Sequence, residues 1–335
     1  MYLVIGATEM VGAHLICTML RQGLKVRATR TAGEPTNYTK HVMSFYTDDY
    51  DALFDEIQWV DTDLGDIVSL ADAMDGIDTV FCCRVPKIKW GLDISDNVNI
   101  TKNIVAAAQN SSIKGFYYLG NYLALGDEPE NNEVNELSQR NPKGKYSKLS
   151  RAHYFCEMEV QRAIEEGLPA SIIAPTVVLG PGNWLTDTSH LFPDAPKRKY
   201  FTRGVAGFVG VNDIVKSLMS LARNRIHGEK FIVNSQNLNY LDIFTMIANT
   251  MGVPAPQKEA SCKVISLYQF CYAVKSIFTG RRPVRNRLYI YSLTQYRLFD
   301  NRKSIGRVIA AYETIESVIE TIAAIYKKER AAAAK

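Results

Sequence analysis

Apolar residues in this chain fall into short continuous runs, separated by stretches where they recur every three or four positions. The runs are YLVIG (2–6), KVRATR (25–30), IQWVD (57–61), TVFCC (79–83), GFYYLG (115–120), ASIIAPTVVLG (170–180) and KFIVN (230–234). Their β-branched and aromatic content predicts strands. Helical periodicity fills 11–22, 67–75, 99–110, 148–166 and 212–224. Strands that are apolar on both faces and joined through helices predict a parallel sheet covered on both sides. Right-handed crossovers then make the sheet doubly wound. After Gly180 the texture changes: prolines and loop residues fill 181–205, and 236–327 reads as helices with few strands. The expected division is a sheet domain of 1–180 plus 206–234, a smaller, mostly helical lid of 181–205 plus 235–330, and a tail of 331–335.

Composition narrows the partners. The 335 residues are 47% apolar and 22% charged, with a net charge of +4. That small excess, with no long basic block, argues against nucleic acid. The densest basic stretch, GRRPVRNR (280–287), reads as a solvated loop. The most apolar stretch, VISLYQFCYAVKSIF (264–278), is too short to cross a bilayer, contains Lys275, and reads as a core-facing helix. No window predicts a membrane span. Six cysteines lack metal-ligand spacing, so no metal is expected and reduced core thiols fit best. Met1 leads into a strand with no charged n-region, so a cytoplasmic protein is expected.

The sharpest motif is GATEMVG (6–12), set between the first strand and the first helix. A strand, a glycine turn and a helix start form a phosphate cradle, because the first helical N–H groups are unpaired and face a positive dipole end. Gly6, Thr8, Glu9, Met10, Val11 and Gly12 would line it. Yet Glu9 sits where a phosphate should come closest. A carboxylate about 4 Å from one phosphate charge costs about 4 kcal/mol at an effective dielectric near 20. Two placements stay open. Glu9 is either the anion bound by its own helix, standing in for phosphate, or it swings into solvent and leaves the cradle clear.

The order of motifs resembles the extended short-chain dehydrogenase/reductase superfamily, and within it the bacterial NAD-dependent epimerase and dihydroflavonol-reductase-like branch. The carrying stretches are GATEMVGAHL, VDTDLGD (60–66), YYLGNYLALG (117–126), EMEVQRAIEEGLPASIIAPTVVLGPGNW (157–184), GFVGVNDIV (207–215) and FDNRK (299–303). The resemblance implies a Rossmann α/β fold and catalysis by a Ser, a Tyr and a Lys. Counted without gaps, those positions hold Asn121, Leu149 and His153. A second register uses Ser147–Lys148 but puts Gly144 at the Tyr position. Tyr146 is a candidate substitute acid, although its neighbour one turn on is Ser150. Neither register sets Tyr and Lys one turn apart on one face.

The resemblance also implies cofactor contacts at Asp63, Leu64 and Pro175. Arg30, at the end of the second strand, leans any surviving preference to NADP; no cofactor at all is equally compatible with Glu9. Arg84, after the fourth strand, would either fill the cleft or pair with Glu9. The expected function is a degenerate, catalytically silent relative of the NAD(P)-dependent epimerases and reductases, serving as a binding or scaffold subunit. The alternatives are an NADP-dependent oxidoreductase or epimerase of a carbonyl or sugar-nucleotide substrate, with non-standard catalytic residues, and a dinucleotide sensor. Relatives dimerise through the helices near 99–110 and 148–166, so a homodimer or a heterodimer with a related subunit is expected.

Overall fold

The computed structural model describes residues 1–88, 92–127, 133–260 and 294–333. The segments 264–278 and 280–287 therefore lie outside the described residues. Every strand-like run forms a strand: β1 (Tyr2–Ile5), β2 (Val26–Arg30), β3 (Gln58–Asp61), β4 (Thr79–Cys82), β5 (Gly115–Leu119), and, beyond the short β6 (Glu133–Val134), β7 (Ala170–Pro175). The run 170–180 breaks after Pro175, and its second half is β8 (Val177–Leu179). Further along come β9 (Tyr200–Phe201), β10 (Val205–Gly210), β11 (Lys230–Val233), β12 (Gln236–Asn239), β13 (Lys258–Glu259) and β14 (Leu298–Phe299).

Seven strands form one parallel sheet in the order β11-β7-β5-β4-β1-β2-β3. The chain winds outward from β1 in both directions, so the strand order reverses between β1 and β4. Ligands of such sheets enter the crevice beyond the carboxyl ends of these two strands. β10 pairs instead with β8 and β12 in a separate three-stranded sheet.

The helices are α1 (Met10–Arg21), α2 (Asn37–Ser44), α3 (Tyr50–Asp55), α4 (Ile67–Met74), α5 (Ile94–Gln109), α6 (Lys148–Glu165), α7 (Leu191–Asp194), α8 (Val211–Asn224) and α9 (Tyr240–Met251). A last helix, Ile315–Ala333, includes Ala331–Ala333 of the expected tail, as befits the strongest helix former. α5 begins five residues before the expected 99. Asp93 and Asp96 form a reciprocal capping box there, a start signal that outweighs the polar first turn.

The core has two main layers, one on each sheet face. One gathers Val4, Phe81, Tyr117, Ile173 and Phe231 with α1 and α8. The other gathers Leu3, Ile5, Val80, Phe116 and Ile172 with α4, α5 and α6. This two-sided burial explains the unbroken apolar strands. A third cluster joins Leu179, Phe192 and Phe208 to α9 and the last helix. Cys17, Cys82, Cys83 and Cys156 are free and buried. No helix among the described residues is long and apolar enough to cross a membrane.

Candidate functional site

The GATEMVG turn sits at the reversal point. Gly6 has φ +85°, and a Cβ there would lie 2.6 Å from the Arg84 backbone nitrogen. A Cβ on Gly12 would meet the Gly6 carbonyl oxygen at 2.1 Å. The first glycine thus lets the β1 and β4 loops touch, and the last lets α1 press on the turn. Val11 is buried in the core. Met10 reaches the loop after β8, where Gly182 lies beside its Cε, the Tyr38 hydroxyl and Asp187. Tyr38 donates to Asp187 (2.7 Å). His14, one turn into α1, donates from Nε2 to the Pro181 carbonyl (2.9 Å) and accepts from Tyr46 at Nδ1 (2.7 Å). Burial lowers its pKa to about 4, so it stays neutral and holds the 181–187 loop over the helix.

Glu9 takes neither expected placement. It is the N-cap residue of α1 by backbone geometry, but its side chain accepts no hydrogen bond from the helix. Its carboxylate is mostly buried and pairs with Lys87 of the β4–α5 loop at 2.5 Å. Arg84 does not pair with it. The Arg84 guanidinium donates to Asn97 (3.0 Å), a buried side chain that also accepts from the Lys87 amide and donates to the Lys87 and Asp93 carbonyls. The reason is geometric: Asn97 captures the arginine, and the loop it organises carries Lys87 to the carboxylate.

At the carboxyl ends of β2 and β3, Arg30 is bound to Asp61 (2.7 Å) and lies over the Trp59 ring. Glu34 occupies the space beside the turn, accepting from the Thr8 hydroxyl (2.9 Å) and from the Thr31 amide (3.0 Å). Asp63 closes a local turn by accepting from the Gly65 amide (2.8 Å), and the carbonyls of Leu64 and Gly65 accept from Asn103. Pro175 ends β7, buried in the sheet.

The positions at which the resemblance expects Ser, Tyr and Lys lie at the start of a short 3₁₀ turn (Asn121) and on α6 (Leu149 and His153). Asn121 uses its side-chain oxygen to cap a short 3₁₀ turn, Tyr122–Ala124, through the Leu123 amide (2.9 Å). Leu149 is partly exposed near the start of α6. His153 is buried, and its Nδ1 has no hydrogen-bond partner. Burial, with a smaller push from Arg140, lowers its pKa to about 4. A buried, neutral imidazole is a poor proton carrier near neutrality. Tyr146 donates its hydroxyl to the Asp127 carboxylate. Burial and Asp127 both raise its pKa, opposite to the shift that an acid–base tyrosine needs.

Arg140 organises this corner. It donates to the Leu123, Ala124 and Ser150 carbonyls and to the Ser150 hydroxyl. The guanidinium is sandwiched between the rings of Tyr146 (4.3 Å) and Tyr154 (4.4 Å). One turn beyond His153, buried Glu157 pairs with Lys230 of β11 (2.6 Å). Its other oxygen has no partner and lies 3.0 Å from where a Gly120 Cβ would stand. Glycine at 120 therefore makes room for Glu157.

A family model described as the NAD-dependent epimerase/dehydratase family matches residues 2–200, more than half of the chain. The chain belongs to that family. A relative in Synechocystis sp. with the provisional name dihydroflavonol 4-reductase is 25% identical over 269 residues, covering 76% of this chain and 74% of its own. The fold is similar to that of a nucleoside-diphosphate-sugar epimerase from Pseudomonas aeruginosa (TM-score 0.75, 17% identity, covering 98% and 97% of the two chains). It is also similar to a variant of UDP-glucuronic acid 4-epimerase from Bacillus cereus, solved with UDP-4-deoxy-4-fluoro-glucuronic acid and NAD (TM-score 0.73, 14% identity, 98% and 99% covered). The family fits the glycine turn at the reversal point. Sequence reasoning missed Lys87, Glu34, Arg140 and the Glu157–Lys230 pair. Apart from Glu157, which opens the EMEVQRAIEEGLP stretch, none lies in a quoted motif, and each acquires its role through a contact distant in sequence.

Proposed function

We propose that this member of the NAD-dependent epimerase/dehydratase family is a non-catalytic dinucleotide-binding protein, acting as a binding or scaffold subunit. The observation that carries this reading is the state of Tyr146. It is the candidate substitute acid near the expected Ser-Tyr-Lys positions, and its hydroxyl is engaged by Asp127 with its pKa raised. Among the described residues, Asn121 caps a turn and His153 is buried and neutral, so neither is set to exchange a proton with Tyr146.

The dinucleotide part of the proposal rests on the cradle. Gly6 and Gly12 keep the tight turn and the close helix packing on which a pyrophosphate site is built, and no side chain caps α1. A bound dinucleotide would supply nicotinamide redox chemistry, which this reading leaves unused. Glu34 would accept hydrogen bonds from ribose hydroxyls and repel a 2′-phosphate, while Arg30 is committed to Asp61. The proposed ligand is therefore NAD rather than NADP. A second copy or a related chain is proposed to cover α5 and α6, where Phe155 and Met158 are exposed.

Calorimetric titration tests the ligand. NAD is expected to bind at least about tenfold more tightly than NADP, a difference of about 1.4 kcal/mol. Glu34→Gln should narrow that ratio by improving NADP. Tighter NADP binding by the wild type, unchanged in Glu34→Gln, would refute this assignment.

A further inference from the structure

The Glu9–Lys87 pair bridges the crevice between the β1 and β4 loops, at the place where the sheet order reverses. Glu9 is fixed by its position in the turn: its carbonyl accepts from the Ala13 amide and its own amide donates to Gly6. Lys87 is different. It stands on a loop, and its side chain is 54% exposed against 21% for Glu9. A half-exposed ion pair is a weak one, so it is readily exchanged. The α1 amides beneath the pair are not taken by the Glu9 side chain.

Resting on the dinucleotide-binding reading, we propose that Lys87 is a displaceable counter-ion. It neutralises Glu9 while the crevice holds no anion, and it transfers to the pyrophosphate when a dinucleotide enters. The carboxylate in the phosphate turn then acts as a tether that stations the lysine at the entrance.

Exchange and simple masking differ in a double-mutant cycle. Wild type, Glu9→Gln, Lys87→Met and the double variant would be titrated with NAD by calorimetry, at low and at moderate salt. Under exchange, Lys87→Met weakens binding about fivefold or more in both backgrounds, because the phosphate contact is lost in each. In the Glu9→Gln background it should also flatten the dependence on salt. If Lys87 only masks Glu9, its removal will weaken wild type and leave Glu9→Gln unchanged, which overturns the proposal. No effect in either background also overturns it. NAD binding by none of the four proteins would instead remove the reading on which it rests.

Discussion

Asn121→Ser, Leu149→Tyr and His153→Lys, introduced together with Glu9→Gly, are expected to yield NADH oxidation where each single change yields none. Groups that act as a unit are strongly non-additive, so a phenol without its lysine, or the lysine alone, remains inert. The structure adds reasons for combining them. Position 149 is partly exposed, so a larger side chain there need not displace the core. A serine at 121 can still cap the Tyr122–Ala124 turn. A lysine at 153 would sit near the Arg140 guanidinium, but Glu157, one turn on, carries a carboxylate oxygen with no partner. Turnover of an aldehyde or keto-sugar panel should rise on the order of 10²-fold or more over wild type in the combined variant. A single substitution that reaches that level would show that the remaining site was already competent.

The second large effect concerns stability. Lys230→Met leaves Glu157 buried without its counter-charge, and breaking such a pair costs about 3 kcal/mol. Burial already raises the Glu157 pKa, and Lys230 opposes that rise. Without the lysine the pKa climbs further, so the folded state binds a proton that the unfolded state releases. Stability of the variant is then lost as pH rises through the raised pKa and recovered as pH falls. Denaturant unfolding at pH 8 and pH 5.5 should show a larger deficit at pH 8. An equal deficit at both would mean that the lysine stem, rather than its charge, supports Glu157.

The fold was legible because its signal is periodic. Seven apolar runs at the right spacing specify a two-sided parallel sheet, and each became a strand. α2 and α3 went unread because polar and aromatic residues such as Asn37, Tyr38 and Asp51 blur the helical period. The replacements that the resemblance implies at the Ser, Tyr and Lys positions were equally visible, since identity at a motif position needs no coordinates. What each replacement does was not. Glu9 could be weighed against helix and solvent, but its partner lies 78 positions away and is brought close by Asn97. Arg30 reads as a phosphate ligand by strand position, yet Asp61 on the neighbouring strand claims it. Such pairings follow from sheet register and loop course, which local pattern does not encode.

The central claim is that the chain binds a nicotinamide dinucleotide without using it. It is tested most directly by incubating tens of micromolar wild-type protein with NADH and the carbonyl panel, while following cofactor binding by fluorescence and oxidation by absorbance. The expected result is saturable binding with oxidation no faster than in buffer. Oxidation well above that rate, abolished by Tyr146→Phe or His153→Ala, would contradict the account and identify the residue to which the acid has moved.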